Sequence, residues 1–245
     1  MPTAILIDGA FFVKRFRSIE PDNAYNAYNA SRAAEFAFGC AMAHLMEPAP
    51  RKDPRRRRDL YRIFFYDCPP LDKKLHNPIT QKSVDFSKSS EATFRLELHN
   101  KLRDKRKVAL RLGHLASDTP WTIKPQVIQD LLKGKCRYEE LKESDVVPSV
   151  RQKGVDMRIG IDISSLVLKK QVDQIVLIAG DADFVPAAKL ARREGVDFIL
   201  DPMWQAIPAG LKEHIDGLRT TSAKPKMKKD ASAQPLTSME QGGRG

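Results

Sequence analysis

The chain has 245 residues, 42% of them hydrophobic, and carries a formal net charge of +11. That length can bury one proper core, and no apolar run approaches the ~20 residues of a membrane-spanning helix. Cys40, Cys68 and Cys136 are too scattered for a disulfide framework or a zinc ribbon, and the five histidines form no H-x-x-x-H pair, which argues against zinc chemistry.

The opening MPTAILIDGAFF lacks a basic region before its apolar run. It therefore reads as a first strand, Thr3 to Ile7, in a cytoplasmic protein rather than as a signal peptide. Gly9 permits a sharp turn after Asp8 and close approach of a ligand. Ser31 is the expected N-cap of a helix from Arg32 to about Met46, which Pro48 and Pro50 end before the arginine-rich loop. Leu60 to Tyr66 reads as a second strand, nearly all apolar or aromatic, stopped at Asp67-Cys68-Pro69-Pro70. After an irregular stretch over 71–90, Phe94, Leu98 and Leu102 recur every fourth residue and predict a helix from Glu91 to Lys105.

A third strand is expected over Val108–Leu112, and a short helix around Gln126–Leu132. The apolar positions Val155, Ile159, Ile163, Leu166 and Val167 fit one face of a helix over 155–168. Gln174–Ala179 is the fourth strand and runs into G-D-A-D-F. Asp183 is placed to cap a helix from Phe184 to Glu194 that Gly195 closes. Asp197–Leu200 is the last strand, and a short helix is expected near Ile207–Leu218. The basic, Ser/Pro/Gly-rich segment 221–245 is expected to be disordered. Residues 1–220 thus read as one domain with insertions around 48–58 and 71–106. Strand–helix alternation with fully apolar strands predicts an α/β fold with a doubly wound, mainly parallel sheet.

Four of the apolar runs stop at an aspartate: Asp8, Asp67, Asp181 and Asp201. Parallel strands finish at one edge of a sheet, so their terminal carboxylates gather in one crevice, where they can share a hard cation. Were the first and fourth strands neighbours, about 4.8 Å apart, Asp8 and Asp181 would be placed to hold one Mg²⁺ or Mn²⁺. Asp156, at a helix start, can point in from the side or simply complement the helix dipole. Asp183 can act as ligand, as N-cap or as both. Asp201 is expected to start a turn, and so is Asp67, at the same edge. Asp162 follows Asp156 by six residues; at about 100° per residue that rotates it away, toward a surface or supporting role.

The basic runs Arg51–Arg58, Lys101–Lys107 and Lys224–Lys229 suggest a polyanionic partner. Lys153 and the loop arginines Arg55, Arg56, Arg57 and Arg58 are candidates for holding a phosphate backbone, with solvated loops as the plain alternative. Phe11 or Phe12 could stack a base, although core packing suits both better.

The blocks LIDGAFF, FFYDCPP, LRLG, QKGVDMRIGIDI and IAGDADFVPAAKLARREG resemble the NYN domain of the PIN-like nuclease superfamily, in its bacterial DUF88/LabA-like branch. The resemblance spans roughly residues 3–215, apart from about 71–106. It implies a three-layer α/β/α fold with strand order 3-2-1-4-5 and a metal-dependent ribonuclease acting on single-stranded or structured RNA. It also implies an acidic core of Asp8, Asp156 and Asp181 with Asp183 beside it, holding Mg²⁺ or Mn²⁺. Asp162 and Asp67 match positions in the same family.

Two rivals remain. A haloacid-dehalogenase phosphatase would need D-x-D at the first strand, where Ala10 stands. A non-catalytic nucleic-acid-binding or regulatory protein would keep the fold without turnover, and the exposed insertions leave room for a homodimer.

Overall fold

The computed structural model describes residues 2–20, 28–46 and 57–225. Its centre is a six-stranded parallel sheet in the order β12-β11-β10-β1-β2-β5. These strands are β1 (Thr3–Asp8), β2 (Leu60–Asp67), β5 (Val108–Leu112), β10 (Gln174–Ile178), β11 (Asp197–Asp201) and β12 (Gly217–Leu218). The five expected strands fall in the order 3-2-1-4-5, and β12 adds an edge. The helix expected near 207–218 shrinks to a single turn over Ala209–Lys212, because Gly217 and Leu218 pair with Ile199 and Leu200 instead.

Residue alternation along each strand builds two cores. Ala4, Leu6, Phe64, Tyr66, Ile175 and Leu177 face one way, against α5 (Val155–Leu168) and α6 (Val185–Arg193). Ile5, Ile7, Ile63, Phe65, Val176 and Ile178 face the other way, against α1 (Gly9–Ile19), α2 (Ala30–His44) and α3 (Ser90–Arg103). Helices on both faces leave no side of a strand to be polar, hence the unbroken apolar runs. Burying each of the larger side chains stabilises the fold by roughly 1.5–3 kcal/mol.

Helix α3 corrects one expectation. Phe94, Leu98 and Leu102 are fully buried against α2 and β5, so much of 71–106 is a layer of the domain rather than an insertion. What is added is a hairpin of β3 (Lys74–His76) and β4 (Ser83–Asp85). Two further small pairs, β6 (His114–Leu115) with β9 (Gln152–Lys153) and β7 (Trp121–Ile123) with β8 (Val146–Pro148), stand beyond the end of β5; α4 (Pro125–Leu132) lies between β7 and β8. The N-cap of α2 is Asn29, whose side chain accepts from the Arg32 amide, and Ser31 lies inside the helix. Among the described residues no helix is long and apolar enough to cross a membrane.

Candidate active site

Asp8, Asp67 and Asp201 end neighbouring or nearby strands at one edge of the sheet, and Asp181 follows β10 at the same edge. Their surroundings divide them sharply.

Asp8 caps α1, its Oδ1 accepting from the amides of Ala10 (3.0 Å) and Phe11 (3.1 Å). Those bonds favour the charged form, but burial outweighs them, and the Asp156 and Asp67 charges add to burial; the carboxyl is pushed up from 3.8 to about 6. Gly9 is required next to it, since a Cβ there would lie 2.5 Å from the Tyr66 carbonyl oxygen. The close approach that Gly9 permits is therefore to the β2 backbone.

Asp156 sits in the first turn of α5, entered through Gly154 at φ 77°. Desolvation raises its pKa, and so do the carboxylates of Asp181 and Asp183, which identifies those two as its neighbours. Asp181 takes the capping role expected of Asp183: its Oδ1 accepts from the Asp183 amide at 3.2 Å, while Asp183 lies in the one-turn 3₁₀ helix Ala182–Phe184 that leads into α6. Asp183 lies among the acidic residues without capping a helix.

Asp67 and Asp201 are fully buried. Asp67 accepts from Arg95 and from His99 Nε2 (2.8 Å). Burial pushes its carboxyl up, yet the His99 hydrogen bond and the Arg95 and His99 charges overcome this and hold it below the usual range. Arg95 also holds Glu91 at 2.8 Å, and Glu91 holds Arg17 at 2.7 Å, so Asp67 anchors a chain of alternating charges between α3 and α1. Asp201 accepts from His44 Nε2 and the Met203 amide, both at 2.8 Å, and serves structure, as its turn position suggested. Asp162 points away from Asp156, accepting from the Tyr66 hydroxyl at 2.8 Å and Arg111 Nε at 3.2 Å.

The acidic residues brought together are thus Asp8, Asp156, Asp181 and Asp183, and none has an ion pair among the described residues. They meet through their fields: among the described residues no three His, Cys, Asp or Glu side chains converge closely enough to cage a metal. The all-oxygen, mutually repelling donor set fits a hard divalent cation. Mg²⁺ commonly takes one or two carboxylates and completes its shell with water or substrate phosphate.

The expected phosphate holders separate. Lys153, on β9 just before α5, is exposed near Asp156. Arg57 and Arg58 precede β2 and stand at the opposite edge of the sheet; β2 itself spans about 23 Å from Leu60 to Asp67 at ~3.3 Å per residue. Arg55 and Arg56 lie outside the described residues. Phe12 is wholly buried in the core, and Phe11 packs where a Cβ on Gly180 would fall 2.5 Å from its ring. Phe12 therefore has no face left to stack a base, whereas Phe11 is only partly buried. Sequence reading missed Arg95 and His99, although Glu91, Arg95 and His99 at successive i, i+4 steps mark one polar stripe on α3.

Residues 97–211 match the model of a known family, the NYN domain. That segment, 115 of the 245 residues, is similar to an NYN domain. The match holds Asp156, Asp162, Asp181 and Asp183, and it begins within α3, downstream of Asp8 and Asp67. The fold around it is the α/β/α sandwich of PIN-like nucleases. No curated protein and no solved structure matches the chain significantly.

Proposed function

We propose that this NYN protein, of the DUF88/LabA-like branch, is a cytoplasmic metal-dependent ribonuclease. The observation that carries the proposal is the gathering of Asp8, Asp156, Asp181 and Asp183 at one sheet edge with no ion pair among the described residues. The fully buried strand-end acids are paired: Asp67 with Arg95 and His99, and Asp201 with His44. Folding gains nothing from such repulsion, so the cluster is better explained by a ligand that brings positive charge.

Asp8, Asp156 and Asp181, with Asp183 beside them, would hold Mg²⁺ or Mn²⁺. When bound, the cation supplies electrostatic stabilisation of the charge that develops on phosphorus and the leaving oxygen. The chain's own contribution is orientation. The two amides on Asp8 Oδ1 fix that carboxylate at the start of α1, and the Asp183 amide fixes Asp181. Lys153 would draw the phosphate backbone to the same edge.

The test is cleavage of labelled single-stranded RNA with Mn²⁺ by the wild type and by Asp8→Asn and Asp181→Asn. Losses on the order of a hundredfold or more in both variants are expected. Equal cleavage by all three would reject the site. The absence of a preformed three-carboxylate cage among the described residues favours one second reading, a non-catalytic RNA-binding module. That reading would be recognised by salt-sensitive, metal-independent binding without cleavage.

A further inference from the structure

The edge of the sheet opposite the aspartates carries a second concentration of charge. The segment Arg57–Arg58 leads into β2, and Lys105–Lys107 leads into β5. Because β2 and β5 pair, with the Ile63 amide donating to the Lys107 carbonyl at 2.9 Å, these distant basic runs meet. Between them lies a groove of about 460 Å³ lined by Arg57, Arg58, Arg106 and Lys107, with Phe38 and Met42 as its apolar side and Asp59 as its acidic residue. Four cations thus face one carboxylate.

Part of this charge is already engaged. Arg58 reaches Asp173 at 3.5 Å, and the Lys107 ammonium donates to the Leu60 carbonyl. Arg57 and Arg106 are exposed. Lys107 adopts φ 62°, a left-handed backbone that residues with a Cβ disfavour. Such crowding of like charge adds nothing to folding but suits a chain of phosphates, and a recessed groove fits a strand better than it fits a flat lipid surface.

We propose that this groove is a second, non-catalytic RNA site that grips the substrate backbone away from the acidic crevice. The inference rests on the reading that the substrate is RNA. The two edges are at least about 23 Å apart along β2. At ~3.4 Å per stacked nucleotide, only RNA longer than about seven nucleotides reaches both.

The experiment measures binding of a long 2′-O-methyl RNA, which cannot be cleaved through its 2′-hydroxyl, over a range of salt concentrations in EDTA. The proteins are wild type, Arg57→Ser/Arg106→Ser and Arg57→Glu/Arg106→Glu, each checked for folding by circular dichroism. The serine pair should weaken binding about tenfold and flatten the log–log salt slope by about 1.4, at ~0.7 per lost phosphate contact on a single strand. The glutamate pair should weaken it further. Unchanged slopes in both charge variants would overturn the inference even if wild type cleaves RNA. Flattened slopes in a protein that never cleaves RNA would uphold it while the hydrolytic reading falls. Loss of binding to anionic-lipid vesicles with RNA binding intact would also overturn it.

Discussion

Asp67, fully buried, and Asp8, partly buried, end adjacent parallel strands one residue out of register, yet they are treated in opposite ways. Around Asp67 the fold supplies an arginine and a histidine from α3, and the carboxylate is held below its usual pKa. Around Asp8 it supplies burial, two amides and the charges of Asp156 and Asp67, and the carboxyl is held above it. A strand-end acid is therefore not diagnostic by position. Its partners decide whether it braces the structure or is left without an ion pair.

The largest effect should come from breaking the braced side. Asp67→Ala leaves Arg95 and His99 buried without their acceptor and should cost about 3–5 kcal/mol in urea unfolding. A loss below ~1 kcal/mol would erase the contrast. The sign of the pH dependence follows from the lowered folded pKa. The stabilisation from Asp67 is complete above the unfolded carboxylate range and is lost as pH falls through the folded value.

Asp8→Asn should act the other way. Its carboxyl rises from 3.8 unfolded to about 6 folded, so charging it opposes folding increasingly as pH climbs between those values. The amide keeps an oxygen for the Ala10 and Phe11 donors. In EDTA the variant should be more stable than wild type by up to about 3 kcal/mol at pH 8, with the gain gone near pH 3.5. Thermal melts at the two pH values check this, and a destabilised variant at pH 8 would mean that Asp8 is structural.

Asp201→Asn retains an acceptor for the Met203 amide but weakens the buried bond to His44, and should cost roughly 1–3 kcal/mol in the same unfolding assay. The smallest shift in stability belongs to Asp181→Asn. The residue is exposed, and the change should stay within about 0.5 kcal/mol while cleavage is lost. A stability loss comparable to that of Asp67→Ala would move Asp181 to the braced group.

The sheet was legible because its strands are buried on both faces, which leaves uninterrupted apolar runs that ~2-residue periodicity would otherwise break up. The helix over 155–168 followed from its apolar face to the residue. The division among the aspartates was only half legible. Asp8 and Asp181 could be chosen from strand ends, but Asp67 looked similar until Arg95 and His99, from a helix read as part of an insertion, were found beside it. Asn29 and Ser31 are both competent caps two residues apart, and local chemistry alone does not separate them. The misplaced arginines are more instructive. Arg58 precedes β2 and Asp67 ends it, so chain direction alone sends them to opposite edges of a parallel sheet; that signal was present in the sequence.

The pairing of β1 with β10 brings together side chains 171 residues apart, as the Thr3–Gln174 hydrogen bond shows. During translation the first strand therefore waits for its central neighbour. At about 5–20 residues per second the delay is on the order of ten to thirty seconds. Until then Asp8 has no Asp181 beside it, and a nascent chain still tethered to a ribosome, itself made largely of RNA, has no completed acidic crevice.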